Sequence, residues 1–241
     1  MASMTGLLPP HLLAAPSTIF ITAWDMTITG VLPYHLLISL ARVLAGLAIG
    51  LMLGFGLALV AGLSRVGEDV VDPPLQALRT LPFLGLVPLF ILWFGIGEAP
   101  KLALVAMGAV FPLYLNLFAG IRAVGAGLID AGNALGLSRS QLIRLVILPA
   151  ALPAALVGLR QSIGIAWLSL VVGEQVNAQS GIGFLIADAR DFLRTDVIVV
   201  GLLVYAMLGL LSDALVRALE RRVLRWRFCY ADGGVPDSRP H

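Results

Sequence analysis

Mainly apolar runs long enough to cross a lipid bilayer dominate this sequence. There are five, at residues 35–63, 74–94, 101–121, 149–172 and 197–218. At about 1.5 Å of rise per residue, each run would form a helix of about 30 Å, the thickness of the hydrocarbon core. Charged residues make up only 12% of the chain, about half the fraction of a soluble domain. We therefore predict an all-α integral membrane protein, a polytopic helical bundle with about five core transmembrane helices.

The composition excludes several other classes of protein. The single cysteine, Cys229, cannot form a disulfide within the chain, and the three histidines lack the spacing of metal ligands. The basic residues form no continuous stripe with interleaved aromatics, which excludes a nucleic-acid surface. The only lysine, Lys101, follows Pro100, so the chain has no Gly-Lys-Ser/Thr loop for nucleotide phosphates. We therefore predict a non-catalytic protein that itself binds no ATP, metal or other cofactor.

The positions of arginine and lysine predict the orientation of the chain. Eleven of the 16 basic residues lie in or beside the gap between the first two runs, in the gap between the third and fourth, or at and after the end of the fifth. Cytoplasmic loops keep such a positive excess. The prediction is a transmembrane domain at 35–227, a cytoplasmic C-terminal tail at 228–241 and an external or interfacial segment at 1–34. Because that segment resembles no signal peptide, we expect a further spanning helix upstream or a misplaced gene start.

Small residues recur at every fourth position of the first run. They are Gly46, Gly50, Gly54, Ala58 and Gly62. Such a stripe allows another helix to approach closely in lipid. We predict packing against a helix of the same chain, with a subunit interface or a pore lining as the alternative.

The polar stretch at 122–148 has the pattern of two short helices. Residues 128–135 have helical composition and precede Gly136, which suits the left-handed position after a helix. Ser138 is followed three residues later by glutamine, the spacing of a capping box that begins a second helix. We expect this helix to end at Leu148 and Pro149, where the fourth run begins. Its place between two spans predicts a docking element for a cytoplasmic partner.

This stretch resembles a known motif. Asp130-Ala131-Gly132, then Gly136, then Val146-Ile147-Leu148-Pro149 match the spacing of the EAA loop of binding-protein-dependent ABC importer permeases. The family pattern reads Glu-Ala-Ala, three residues, Gly, nine residues, Ile-x-Leu-Pro. Here Asp, Gly and Val replace the first Glu, the second Ala and the first Ile. The resemblance covers residues 36–227 and implies the fold of type I importer permeases.

The resemblance implies that residues 122–148, the coupling loop, contact an ATPase subunit. It assigns this contact to Asp130, Ala131, Gly132, Asn133, Ala134, Leu135, Gly136, Leu137, Ser138, Leu148 and Pro149. The helix over 130–136 would sit in a groove of the ATPase. It would pass the ATP-driven movement to the spans as a rigid body.

The resemblance also implies the partners and the solute. Permeases of this kind work in the bacterial cytoplasmic membrane with a second copy of the chain, two cytoplasmic ATPase subunits that hold ATP and magnesium, and an external solute-binding protein. Residues 188–190, 195–197 and 219–226 are most similar to the aliphatic sulfonate, taurine and nitrate group. We expect a pathway for a small organic anion, first of all aliphatic sulfonates. Taurine, nitrate or bicarbonate is the alternative solute, and a secondary transporter or channel is the alternative class.

The fourth run contains candidates for the pathway or for a structural role. They are Arg160, Gln161, Ser162 and Trp167. A charged side chain as deep in the membrane as Arg160 is energetically costly, so it is by default a candidate for a functional role. Because the resemblance places the same arginine in permeases of unlike substrates, we favour a structural ion pair or carbonyl contact over substrate contact.

Residues 173–195 have the pattern of an amphipathic external helix. Its apolar face would carry Leu185, Ala189 and Phe192, and its charged face Asp188, Asp191 and Arg194. Gly181 and Gly183 precede it and are interpreted as a hinge. We expect an outer gate or a binding-protein contact formed by Leu185, Asp188, Asp191 and Phe192, with a plain interfacial anchor as the alternative.

Overall fold

The computed structural model describes residues 15–82 and 85–224, apart from the side chain of Asn177. Within these ranges the chain forms helices and turns and no strand. Among the described residues, four helices are long and apolar enough to cross a membrane: Val31–Leu63, Ala99–Arg122, Arg139–Val176 and Thr195–Val223. The prediction of an all-α, polytopic membrane bundle is confirmed.

The helices are numbered in chain order. They are α1 (Pro16–Ile28), α2 (Val31–Leu63), α3 (Arg65–Arg79), α4 (Leu86–Phe94), α5 (Ala99–Arg122), α6 (Ala126–Ala134), α7 (Arg139–Leu142), a π-helical turn (Ile143–Ile147), α8 (Leu148–Asn177), α9 (Ile182–Asp191) and α10 (Thr195–Val223). Helix α5 lies at the centre, because it packs along both α2 and α8. Helix α9 contacts α2, α8 and α10 and closes one end of the bundle.

The small-residue stripe of α2 brings α2 and α5 into close contact. A Cβ atom at Gly46 would lie 2.6 Å from the Cβ atom of Val105, and one at Gly54 would lie 2.8 Å from the carbonyl oxygen of Val110. Real Cβ atoms essentially never come so near a neighbour, so a larger residue would push the two helices apart. The predicted packing of the stripe within the chain is confirmed.

The second apolar run differs from the prediction, because its described residues form no single spanning helix. Helix α3 ends at Arg79 and α4 begins at Leu86. With nine residues, α4 is only about 13 Å long. Pro82 lacks a backbone N–H and disfavours the helical conformation of Leu81 before it. Two helices in series, separated by a break after Arg79, therefore take the place of one continuous span.

Helix α1 lies against α10. The hydroxyl of Thr22 donates a hydrogen bond to the Asp196 carboxylate at 2.8 Å, and Met26 is buried against Val197 and Val200. The opposite side of α1 exposes large apolar side chains, among them Trp24, which suits a segment in the membrane interface. Residues 1–14 and the tail 228–241 lie outside the described ranges, so their placement stays a prediction.

Candidate functional site

The first helix of the coupling loop ends at a glycine in the left-handed conformation. Helix α6 finishes at Ala134, and Gly136 has a φ of +72°. The amide of Gly136 donates to the carbonyl of Asn133 at 2.9 Å, and that of Leu137 donates to the carbonyl of Gly132 at 3.2 Å. These bonds satisfy carbonyls at the helix end that would otherwise lack partners. The predicted helix end at Gly136 is confirmed, and α6 begins two residues earlier than expected.

The capping box that begins the second helix is also confirmed. The amide of Ser138 donates to the side-chain oxygen of Gln141 at 2.8 Å, and the amide of Gln141 donates to the Ser138 hydroxyl at 3.4 Å. The predicted end of this helix is wrong, because α7, the π-helical turn and α8 are continuous. Leu148 and Pro149 therefore lie inside one long helix. A proline lacks the amide hydrogen that a regular helix needs. The wider π-helical turn directly before it accommodates the missing hydrogen bond without ending the helix.

The two helices of the coupling loop form one packed unit. A Cβ atom at Gly132 would lie 2.5 Å from a methyl carbon of Leu142 and 3.5 Å from one of Leu137. The glycine thus lies directly against side chains of the second helix. Leu135 is 80% exposed, and Asp130 is also exposed. The unit therefore presents an apolar and an acidic side chain to its surroundings. A role in ATPase contact stays a prediction.

A buried carboxylate holds the other end of the bundle together. The side chain of Glu174 near the end of α8 is 0% exposed. It accepts hydrogen bonds from the Ser39 hydroxyl at 2.8 Å, from Arg42 at 2.8 Å, from the amide of Gly183 at 2.8 Å and from the Tyr205 hydroxyl at 3.2 Å. One carboxylate thus connects α2, α8, α9 and α10.

The guanidinium of Arg42 extends this network to the start of α5. It donates to the two carboxylate oxygens of Glu98 at 2.5 and 2.7 Å and to the carbonyl of Ser180 at 2.6 Å. Lys101 donates to the same Glu98 carboxylate at 3.0 Å. The hydrogen bond from Arg42, followed by that from Lys101, lowers the pKa of Glu98 from 4.5 to about 2, although partial burial opposes the shift. We call Ser39, Arg42, Glu98, Lys101, Glu174 and Tyr205 the Glu174 cluster.

A signal for this cluster was present in the sequence. Arg42 lies in the first apolar run and Glu174 follows the fourth. Opposite charges at two membrane-facing positions need compensation, so they are candidates for one ion pair. The chain separation of 132 residues gave no local indication that the two side chains meet.

The glycines before and within α9 lie against the side chain of Glu174. A Cβ atom at Gly183 would lie 2.6 Å from the Cβ atom of Glu174, and the position of Gly181 is blocked by the same side chain. Both glycines let α9 approach the carboxylate closely, and their role as a hinge stays a prediction. Leu185 and Ala189 are buried as predicted. Phe192 is not on that face, since it follows the last residue of α9 and is 72% exposed. Exposed residues at this end are Asp188, Asp191 and Arg194.

The four candidates in α8 divide into two pairs. Ser162 and Trp167 point into the bundle, where the Ser162 hydroxyl donates to the carbonyl of Ala109 at 2.7 Å and the indole of Trp167 donates to the Ser212 hydroxyl at 3.1 Å. These are structural contacts. Arg160 and Gln161 are exposed.

Arg160 forms an ion pair with α10. Its guanidinium donates to the Asp213 carboxylate at 2.5 Å, and Arg217 contacts the same carboxylate at 2.5 Å. This contact agrees with the structural ion pair that the sequence analysis favoured. Gln161 instead accepts a hydrogen bond from the side-chain amide of Asn116 at 3.0 Å. It thereby connects α8 to α5.

Fold and site together define a class of protein: a polytopic helical membrane protein with a rigid two-helix loop between two spans. The chain belongs to the family of binding-protein-dependent transport system inner membrane components, whose family model matches residues 46–225. It is therefore a permease component of a transport system.

Curated relatives extend over nearly the whole chain. The aliphatic sulfonates transport permease protein SsuC of Escherichia coli (strain K12) is 46% identical over 95% of this chain and 88% of its own. The protein of the same name in Bacillus subtilis (strain 168) is 45% identical over 93% of this chain and 82% of its own. The taurine transport system permease protein TauC of Escherichia coli (strain K12) is 38% identical over 80% of this chain and 70% of its own.

Solved structures share the fold. A chain from the crystal structure of an amino acid ABC transporter superposes with a TM-score of 0.66 at 20% identity, over 87% of this chain and 100% of that one. A chain of the inward-facing methionine ABC transporter MetNI gives a TM-score of 0.60 at 21% identity, over 75% of this chain and 92% of that one. The predicted fold of an ABC importer permease is confirmed.

Proposed function

We propose that this chain is the membrane subunit of an ATP-driven importer of aliphatic sulfonates, with two copies forming the pathway. The observation that carries this proposal is the 46% identity, over 95% of the chain, to a permease named for aliphatic sulfonates. Relatives named for sulfonates are more similar than the one named for taurine, at 38% identity. That order favours alkanesulfonates over taurine as the main solute.

The geometry of the coupling loop supports docking to an ATPase. Helix α6 packs on the segment that leads into α8, and α8 runs without a break from this loop to the Glu174 cluster. A displacement of α6 would therefore move α8 as a rigid rod. The exposed side chains of Asp130 and Leu135 would contact the groove of the ATPase, which holds the ATP and magnesium.

The positions of the loop and the Glu174 cluster support one orientation in the membrane. Helix α5 has 24 residues, about 36 Å in length. Glu98 precedes its first residue, and the coupling loop follows its last. The two features therefore lie on opposite sides of a bilayer. With the arginine-rich regions inside, the coupling loop and the C-terminus are cytoplasmic and the Glu174 cluster is external.

The external end also supports contact with a solute-binding protein. Helix α9 buries Leu185 and Ala189 and exposes Asp188 and Asp191. An exposed acidic face can orient a partner and raise its association rate without adding much affinity. In this arrangement the complex contains two copies of this chain, two ATPase subunits and one external binding protein.

Transport in a defined system tests this proposal. The chain is purified with its ATPase and reconstituted in proteoliposomes with the binding protein, and ATP-dependent uptake of radiolabelled butanesulfonate is compared with uptake of taurine and nitrate. We expect butanesulfonate to accumulate fastest, and only when both ATP and the binding protein are present. Uptake of taurine or nitrate, but not of butanesulfonate, would contradict the proposed solute. Accumulation without ATP would contradict the proposed class.

A further inference from the structure

The break between α3 and α4 borders a half-open cavity on the side of the bundle, where the side chains of Arg79 and Gln161 are exposed. This cavity, of about 260 Å³, lies between the broken segment, α5 and α8. Phe111, at the midpoint of the 24 residues of α5, lines it, as does Gln161 near the midpoint of the 30 residues of α8. The cavity is therefore at the depth of the bilayer centre. Interrupted helices at this depth occur where the backbone lines a cavity or a solute site.

One arginine supplies the charge of this cavity. Arg79, the last residue of α3, is the single charged side chain among the described residues that line it. No hydrogen bond or ion pair joins Arg79 to another residue in the described ranges, whereas Arg42, Arg122 and Arg160 each have a carboxylate partner. A guanidinium without a counter-charge is costly at this depth in a membrane. An anionic solute would supply the missing charge.

A side-chain amide adds further donors to the same cavity. The Nδ2 atom of Asn116 donates to the carbonyl of Pro112 at 2.8 Å and to the Oε1 atom of Gln161 at 3.0 Å. These two bonds determine which way both amides face. The second bond orients the amide of Gln161, whose NH₂ group has no partner in the described chain. The described polar side chains of the cavity, Arg79 and Gln161, thus both offer N–H donors.

A second, wholly apolar cavity adjoins the first. It has a volume of about 450 Å³, and all its described lining residues are apolar. The two cavities share five lining residues, Leu78, Leu81, Leu86, Met107 and Phe111. A solute with a charged head and an apolar tail matches this pair of cavities. The smaller cavity is near the lower end of the roughly 300 to 1,000 Å³ of small-molecule sites.

We propose that the two cavities form an alkanesulfonate-binding site on the transport pathway, a role that rests on the proposed function and assigns it to particular residues. The sulfonate oxygens accept hydrogen bonds from the planar guanidinium of Arg79 and from the amide of Gln161. The alkyl chain enters the apolar cavity beside Met107 and Phe111. Taurine binds less well, because its ammonium group would lose water in that apolar space without a compensating partner.

Variants at Arg79 and Gln161 test the site in the complete complex. Arg79→Gln and Gln161→Leu are compared with Arg65→Gln, which makes the same change at an exposed position of the same helix outside the cavity. With saturating binding protein, we expect Arg79→Gln to lower butanesulfonate uptake by about tenfold or more, since a charge-assisted hydrogen bond is lost. Gln161→Leu should lower it by about threefold. Arg65→Gln should transport like the parent.

Two controls separate this site from folding and from the proposed function. The amount of assembled complex should stay within about twofold of the parent in all three variants, and Arg65→Gln should also keep the parental ATPase rate. Arg79→Lys should recover part of the uptake. Parental uptake by Arg79→Gln would overturn the site. A parent complex that transports no sulfonate at all would instead overturn the proposed function.

A labelling experiment tests the site without relying on turnover. In a Cys229→Ser background, Gln161→Cys is treated in the assembled complex with 2-sulfonatoethyl methanethiosulfonate, itself a small alkanesulfonate. We expect octanesulfonate to slow the labelling and octanol or octyltrimethylammonium to leave it unchanged, because the head group must be anionic. Equal rates with and without octanesulfonate, or equal protection by octanol, would overturn the proposal.

Discussion

Arg42 and Glu174 form a buried ion pair that joins α2 to the end of α8. The nitrogen and oxygen lie 2.8 Å apart, and the two side chains are 6% and 0% exposed. Neighbouring donors satisfy the remaining lone pairs of the carboxylate. A buried pair adds little stability over an apolar pair, but the loss of one partner leaves a charge without compensation. The contact therefore makes this end of the bundle sensitive to single substitutions.

Removal of one member of this pair should destabilise the protein strongly. We expect Glu174→Ala to lower the free energy of unfolding by about 3 to 5 kcal/mol, because Arg42 then keeps a buried charge with only Glu98 as its counter-ion. Ser39→Ala should cost about 1 kcal/mol, since it removes one neutral donor. Thermal unfolding in detergent measures both. An equal effect of the two variants would contradict a central role for the ion pair.

The left-handed residue of the coupling loop should be sensitive to β-branching. Gly136 has a φ of +72° and no atom within 4 Å of an added Cβ. The cost of a substitution there therefore comes from backbone strain and not from a steric clash. Gly136→Val should cost about 1 to 2 kcal/mol locally and uncouple ATP hydrolysis from uptake while the protein stays in the membrane. Gly136→Asn is the matched control, because asparagine tolerates this conformation, and it should retain coupling. Normal transport by Gly136→Val would refute the prediction.

Acidification should weaken the contact between Glu98 and Arg42. The pKa of Glu98 is about 2 in the folded protein, below its ordinary value of 4.5, so the folded state binds fewer protons than the unfolded state. The stabilisation is therefore complete above about pH 5 and is lost as the pH falls from 4.5 towards 2. The difference in melting temperature between the parent and Glu98→Gln should shrink over this window. A difference that grows with acidification would have the wrong sign.

The pair between Arg160 and Asp213 should be structural. Arg160→Lys replaces the guanidinium, whose Nε atom meets the carboxylate at 2.5 Å, with an ammonium of different geometry. We therefore expect less protein in the membrane but an unchanged KM for uptake. The charge exchange Arg160→Asp with Asp213→Arg should recover part of the lost abundance. Quantitative immunoblots and uptake kinetics measure the two effects. A higher KM at parental abundance would show that Arg160 contacts the solute instead.

Charge reversal on α9 should affect the binding protein and not the ATPase. Asp188 and Asp191 are exposed, and we expect the double change Asp188→Lys with Asp191→Lys to lower binding-protein-stimulated ATP hydrolysis several-fold. Higher salt should reduce the difference from the parent, because exposed charges are screened. Asp69→Lys, an exposed reversal on α3, should leave stimulation unchanged. Identical stimulation and salt response in parent and double variant would favour an interfacial anchor.

Features that depend on neighbouring residues were predictable from the sequence. The length of an apolar run indicates a span because water cannot satisfy the backbone inside a bilayer. The capping box of Ser138 and the left-handed Gly136 each depend on residues within one or two turns. The stripe from Gly46 to Gly62 predicted close packing because the residue at every fourth position shares one helix face. It did not identify α5 as the partner.

Contacts between distant parts of the chain were decided by the tertiary structure. Ser39 and Glu174 are 135 residues apart, and composition indicates that such a carboxylate needs donors but not which helices supply them. The break after Arg79 lies in an apolar run whose composition predicted one continuous span. Pro82 interrupts the helix in this run. Only the folded bundle brings the arginine at this break to the same cavity as Gln161, because helix packing rather than chain order determines which side chains meet at the bilayer centre.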